Sequence, residues 1–194
     1  MIPIHLKIIL ASQSPRRAQL LRESGFTNIT IKPTDIDETV PKGIPTNAAA
    51  EFLACKKAKV AQHFAGQNDI VLAADTIVIR GKKMFNKPEN KAEAVQMLQE
   101  LSGKMHKVIT GVCLIGKDKE ISFSEITQVT FAELSEEEID FYISHYKPFD
   151  KAGAYGVQEW IGHCKINKIE GSFTNVMGLP MHRVYACLKE NFIM

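Results

Sequence analysis

Charge of one sign is what this 194-residue sequence most plainly lacks: 24 Lys and Arg stand against 22 Asp and Glu, a formal net charge of +2. That balance creates no general field for nucleic acid or for an anionic membrane, so any anion has to be held by a local arrangement of residues. Long apolar runs are missing too. The N-terminal stretch MIPIHLKIILASQSPRR is too short to span a bilayer, and it runs into arginines where a secretory signal would carry small residues for cleavage. The expectation is a cytoplasmic chain with no nucleic-acid and no membrane partner. Cysteine is sparse: Cys55, Cys113, Cys164 and Cys187 lie far apart with no CxxC pair, and buried reduced thiols are expected. The six histidines show no HExxH or other short ligand spacing, which argues against a zinc site. Repeats, low-complexity tracts and linkers are absent. What remains, 45% hydrophobic and 24% charged, is an ordinary globular composition, read as a single domain over residues 1–194.

Local signals then divide the chain into elements. An apolar, β-leaning run from Lys7 to Ser12 precedes a helix with Ser14 as N-cap, Pro15 in its first turn and Gly25 closing it. Asn28 to Pro33 reads as a short strand, followed by the polar loop TDIDETVPKGIP. Thr46 to about Ala65 is alanine-rich with apolar spacing of three and four and a stop at Gly66, hence a helix. The run DIVLAADTIVIRG is apolar on both faces and reads as a central strand. Asn90 with Glu93 starts a helix to Leu101, and Ser135 with Glu138 another to about Tyr146. Between them Val108–Ile115 and Ile121–Phe131 form a hairpin. A glycine-rich passage, DKAGAYGVQEWIG, leads to a strand near Cys164–Ile169 and a last helix from Pro180 to about Asn191. This order predicts an α/β fold with a mixed, twisted sheet and flanking helices.

Three features carry chemistry. Arg16 and Arg17 fall in the first turn of a helix, where the dipole makes each cation cost roughly 0.3–1 kcal/mol unless an anion is present. Asp75 interrupts an apolar strand, so its carboxyl must be paired, protonated or bound to a metal; it is either a strand-end cap or a base or metal ligand. Asp35, Asp37 and Glu38 cluster on a loop; such clusters are usually just solvated, but with Asp75 they can supply the hard oxygen ligands that Mg²⁺ or Mn²⁺ prefers. Lys57, Lys87 and Lys151 are ordinary surface lysines by type, the last two set apart by neighbouring Pro or Gly. Tyr155 and Gln158 in the glycine-rich loop can offer a flat surface and an amide to a base. His106 reads equally well as structural.

Taken in order, ASQSPRR, AADTIV, NKP, LSGKMHKVITGV, DKAGAYGVQ and NVMGLP closely resemble the Maf family of nucleoside triphosphate pyrophosphatases, from about Ile8 to Pro180. The resemblance implies an elongated, two-lobed α/β fold shared with inosine triphosphate pyrophosphatases, with a cleft between the lobes, and a possible homodimer. It implies that Ser12, Ser14, Arg16 and Arg17 hold phosphates. It makes Asp75 the proton acceptor, and places Glu38, Lys57, Lys87 and Asp75 around the phosphates and a divalent cation, with Glu38 and Asp75 as metal ligands. Positions matching Arg16, Thr76 and Gln158 bear on substrate choice in the dTTP/UTP subgroup, to which DKAGAYG is similar; Lys151 and Tyr155 stand in the same segment. One departure is Glu159–Trp160, where smaller residues are commoner; the indole can be lid, wall or dimer contact. The activity implied is hydrolysis of dTTP and UTP to the monophosphate and pyrophosphate. The alternative is a nucleotide-binding regulator of septum formation without turnover.

Overall fold

The apolar run after Lys7 forms β1 (Ile8–Ala11), buried at every position, the first strand of a computed structural model that describes residues 5–192. The N-terminal apolar stretch is therefore only partly within the described residues. Helix α1 (Pro15–Glu23) follows, with Gly25 at φ 91° taking the left-handed turn that closes it. Strand β2 (Ile29–Ile31) then returns parallel to β1. Helix α2 (Ala49–Ala61) is flanked by single 3₁₀ turns at Thr46–Ala48 and Gln62–Phe64, which together fill the expected Thr46–Ala65 span.

Strand β3 (Ile70–Arg80) pairs parallel with the other edge of β1, Ala11 opposite Ala73, and antiparallel with the short β4 (Lys83–Phe85). Helix α3 (Lys91–Leu101) precedes β5 (Met105–Ile115) and β6 (Glu120–Phe131), which are neighbours as the hairpin reading requires. Helix α4 (Glu136–Tyr146), α5 (Trp160–Lys165), β7 (Ile166–Glu170), α6 (Phe173–Val176) and α7 (Met181–Asn191) complete the chain. The sheet has seven strands in the order β2-β1-β3-β5-β6-β7, with β4 on β3, and is mixed as expected.

Two compact units are distinguished. The first comprises Met1–Asp75, Thr110–Glu125 and Gly178–Met194; the second comprises Thr76–Ile109 and Ile126–Met177. In the first, small side chains on α2, Ala54, Ala58 and Ala61, let the helix lie close over Ile9, Val71 and Cys113. The closest approach is at Gly111, where an added Cβ would stand 2.1 Å from the Glu51 backbone nitrogen, so only glycine fits. The second core is built on Phe85, Phe131, Tyr142 and Leu98, with α3 packed against α4.

The cysteine expectation needs correction. Cys113 and Cys187 are buried, but Cys55 is half-buried and Cys164 exposed, because α5 is a short surface helix that turns only Ile161 inward. The capping expectations hold at Ser135, which forms a full box with Glu138, and in half at Asn90, whose side chain accepts from Glu93 N while Glu93 turns to Glu89 N. Ser14 sits at the N-cap position without a side-chain cap; its own N–H donates to Ser12 Oγ at 3.1 Å.

Candidate active site

Strand order places the first group of site residues. The chain passes from β1 to β2 on one side and then to β3 on the other, so β1 and β3 are adjacent parallel strands at a point where the connection reverses. Ligands in open α/β sheets bind beyond the carboxyl ends of strands at such a point. Ser12 leaves β1 there, and Asp75 lies on β3 just past the Ala11–Ala73 register.

Lys57, on α2 and only 9% exposed, reaches this region and donates to Asp75 Oδ1 at 2.6 Å, with Glu38 Oε1 at 2.7 Å. One ammonium therefore holds two carboxylates that are 37 positions apart in the chain (75 − 38). The carboxylate of Asp75 is paired, as a charge within an apolar strand requires. Glu38 is exposed on its loop. Of the other two acids, Asp37 turns to Thr39, whose hydrogen bonds hold its carboxyl below the usual range, and Asp35 is exposed.

Arg17 answers a different need from the one its position suggests. Its Nε donates to Gly178 O at 2.8 Å, and its Nη1 to Ser12 Oγ at 3.0 Å and Ala74 O at 2.8 Å. The guanidinium thus locks the start of α1 to the residue before Asp75. Burial pushes its pKa below the ordinary value, while the Asp75 charge acts in the opposite sense. Arg16 and Ser14 are half-buried in the same turn.

The second unit holds Thr76, Lys87, Lys151, Tyr155 and Gln158. Thr76 is half-buried, next to Asp75 in sequence, and Lys87 is exposed on the loop after β4. That loop is tied to the glycine-rich one by Gly153 N donating to Asn86 O at 3.1 Å. Gly153 (φ 72°) and the buried Ala154 (φ 58°) are consecutive left-handed residues; the alanine is strained, and such strain persists only where surrounding structure enforces it.

Lys151, 7% exposed, donates to Asp150 Oδ1 at 2.7 Å and lies 3.1 Å from Glu159 Oε1. Glu159 Oε2 in turn accepts from Tyr142, whose hydroxyl accepts from Gly156 N at 3.0 Å. Burial, then the hydrogen bond to Glu159, pushes the Tyr142 phenol up, so it stays protonated.

Tyr155 does not offer its face to solvent. It is 5% exposed, set edge-on to Phe131 and His106, with its hydroxyl 2.7 Å from His106 Nε2. Burial lowers the His106 pKa to about 4, which leaves the ring neutral. Gln158 Oε1 is buried and has no hydrogen-bond partner among the described residues. Trp160 is a wall of the second unit's core, its ring edge-on to Phe141 at 5.2 Å. Sequence reasoning missed Tyr142 entirely, because nothing in an amphipathic helix marks one tyrosine as a loop anchor.

The class defined so far is an α/β protein with a mixed seven-stranded sheet and a charged group just past the parallel pairing of β1 and β3. Its fold is similar to that of the Staphylococcus aureus Ham1 protein, with a TM-score of 0.55 at 14% identity, over 94% of this chain and 98% of that one. Residues 7–191 match the family model described as Maf-like protein, and the chain belongs to that family. Relatives include the dTTP/UTP pyrophosphatase of Phocaeicola vulgatus, 48% identical over 95% of both chains, and that of Bacteroides thetaiotaomicron, 44% identical over the same shares. Among the described residues no helix is long and apolar enough to cross a membrane.

Proposed function

We propose that this chain is a nucleoside triphosphate pyrophosphatase that hydrolyses dTTP and UTP to the monophosphate and pyrophosphate. The observation that carries the reading is Lys57 holding Asp75 and Glu38 where β3 runs on past the end of β1. The names of the relatives support the substrate pair. Both units act in this reading as one Maf-like domain over residues 1–194, in the cytoplasm, as a monomer or homodimer.

The donor set suits a hard divalent cation, Mg²⁺ or Mn²⁺: two carboxylates, one of them exposed, already gathered around one ammonium group. Glu38 and Asp75 would hold it, and when bound it neutralises charge on phosphate oxygens. The chain's own groups do the rest. Ser12, Ser14 and Arg16 at the start of α1 receive phosphate oxygens, with Arg17 fixing the geometry of that turn. Asp75 accepts a proton from the attacking water, and Lys57 and Lys87 stabilise charge as the α–β anhydride bond breaks and pyrophosphate leaves.

In the second unit, Gln158 reads the base. Its amide accepts from N3–H and donates to O4, the edge that uracil and thymine share, and the unsatisfied Oε1 supports this role. Thr76 and the Lys151 loop set its orientation; Tyr155, packed edge-on against Phe131 and His106, anchors that loop in the core.

The test measures pyrophosphate release from dTTP, UTP, CTP, ATP and GTP with Mg²⁺ or Mn²⁺, for the wild type and Gln158→Ala. The expected result is high kcat/KM for dTTP and UTP, loss of activity with a chelator, and reduced selectivity in the variant. Absence of turnover, or equal kcat/KM for GTP and dTTP, overturns the reading.

A further inference from the structure

The cysteines that look unrelated in sequence do not stay apart. Cys55 on α2, Cys113 on β5 and Glu120 at the start of β6 bring two sulfurs and a carboxylate oxygen within 4.8 Å of one another. This cluster lies in the first unit and shares no residue with the Lys57 group. We propose that Cys55, Cys113 and Glu120 form a binding site for a soft divalent cation of the zinc type, with water as fourth ligand.

Tetrahedral zinc with sulfur at about 2.3 Å and oxygen at about 2.0 Å needs donor atoms about 3.5–3.8 Å apart, so from a separation within 4.8 Å no pair has to close by more than about 1.3 Å. Thiolate pairs select zinc over the hard cations that carboxylates prefer, which separates this site chemically from Glu38 and Asp75. The two thiols are already hydrogen-bonded to one another. A cation replaces the proton they share.

The surroundings are suited to the exchange. Ser122 lies within hydrogen-bond reach of Cys55, and turning its hydroxyl from Glu51 Oε1, to which it donates at 2.7 Å, would supply a donor to a metal-bound thiolate. The counterion of Glu120, Lys59 at 3.4 Å, is itself exposed and easily released. Cys113 is fully buried and Cys55 half-buried, so water reaches the site from one side only. The bound ion would tie α2 to β5 and β6 at three points.

The experiment titrates the reduced, metal-free chain with Co²⁺, followed by Zn²⁺ competition against a chromophoric chelator. One equivalent of Co²⁺ is expected to give sulfur-to-cobalt charge-transfer and tetrahedral d–d bands that Zn²⁺ abolishes. Cys55→Ser and Cys113→Ser should lose them, and Glu120→Gln should weaken binding by about tenfold or more. Asp75→Asn should leave them unchanged. Circular dichroism checks that the buried Cys113 variant is folded; Cys55→Ser, at a half-buried position, gives the same reading independently. No thiolate bands, bands that survive both serine variants, or isolation of the pair only as a disulfide overturns the proposal.

Discussion

At the level of single side chains, Asp75 and His106 illustrate opposite uses of burial. Asp75 is set in an apolar strand but is held by Lys57, so replacing it with Asn removes a proton acceptor and leaves the ammonium its second partner, Glu38. Asp75→Asn is expected to fold and to lower kcat for dTTP by about 10²–10⁴-fold, the usual worth of a general base; a folded variant with wild-type kcat removes Asp75 from the reaction. His106 is neutral by burial, and its pKa is about 4 against an ordinary 6.5. Below pH 6.5 the unfolded chain binds this proton while the folded chain does not, so stability falls with pH until about 4, by at most about 3 kcal/mol. Thermal melts of wild type and His106→Gln between pH 7 and 4 check this: the variant should lose part of the acid-side decline, and an identical decline in both assigns it elsewhere. Asp75 was legible from sequence because a charge among Val, Leu, Ala and Ile demands a partner. Which partner was not legible, since Lys57 looks like any helical lysine until α2 is laid over the sheet.

Elements with local causes were read well, and those with distant causes were not. The helix at Ser135 announces itself through its capping box, and the strand at Ile70–Arg80 through an apolar run broken inside only at Asp75 and Thr76. By contrast β4, α5 and α6 are three to six residues long, too short for periodicity to register, and they exist because tertiary contacts hold them. The glycine-rich loop belongs to the same case. Its shape depends on Tyr142 of α4, which joins Gly156 N to Glu159 and thereby sets the segment from which Gln158 projects. Tyr142→Phe strands a buried amide and a carboxylate oxygen, at about 1–3 kcal/mol. The expected outcome is a lower melting temperature and a KM for dTTP raised more than kcat is lowered. An unchanged KM in a destabilised but folded variant would leave Tyr142 with a purely structural role.

For the molecule as a whole, composition said nothing about division into units. The boundary between them runs through β3, β5 and β6, so no linker of distinctive composition marks it. Strand order was equally hidden, since the hydrogen-bonding partner of β1 is supplied both by Ile29 and by Ile70, far along the chain. The contact at Gly111 extends this point into dynamics. Backbone there meets the backbone of Ala50 and Glu51 with no side chain between them, and Glu51 is further fastened by Ser122 and Ser124 at 2.7 and 2.8 Å. Such a junction has no rotamer through which to yield. The helix cannot fray away from the strand in small steps, so the amide protons of α2 and of the Thr110–Ile115 stretch should exchange with solvent at one common opening free energy, as a single cooperative unit. Native-state hydrogen exchange would register two separate opening energies if the junction were soft, and Gly111→Ala, which forces the backbones apart, should split the unit or lower its opening energy well before the second unit is affected.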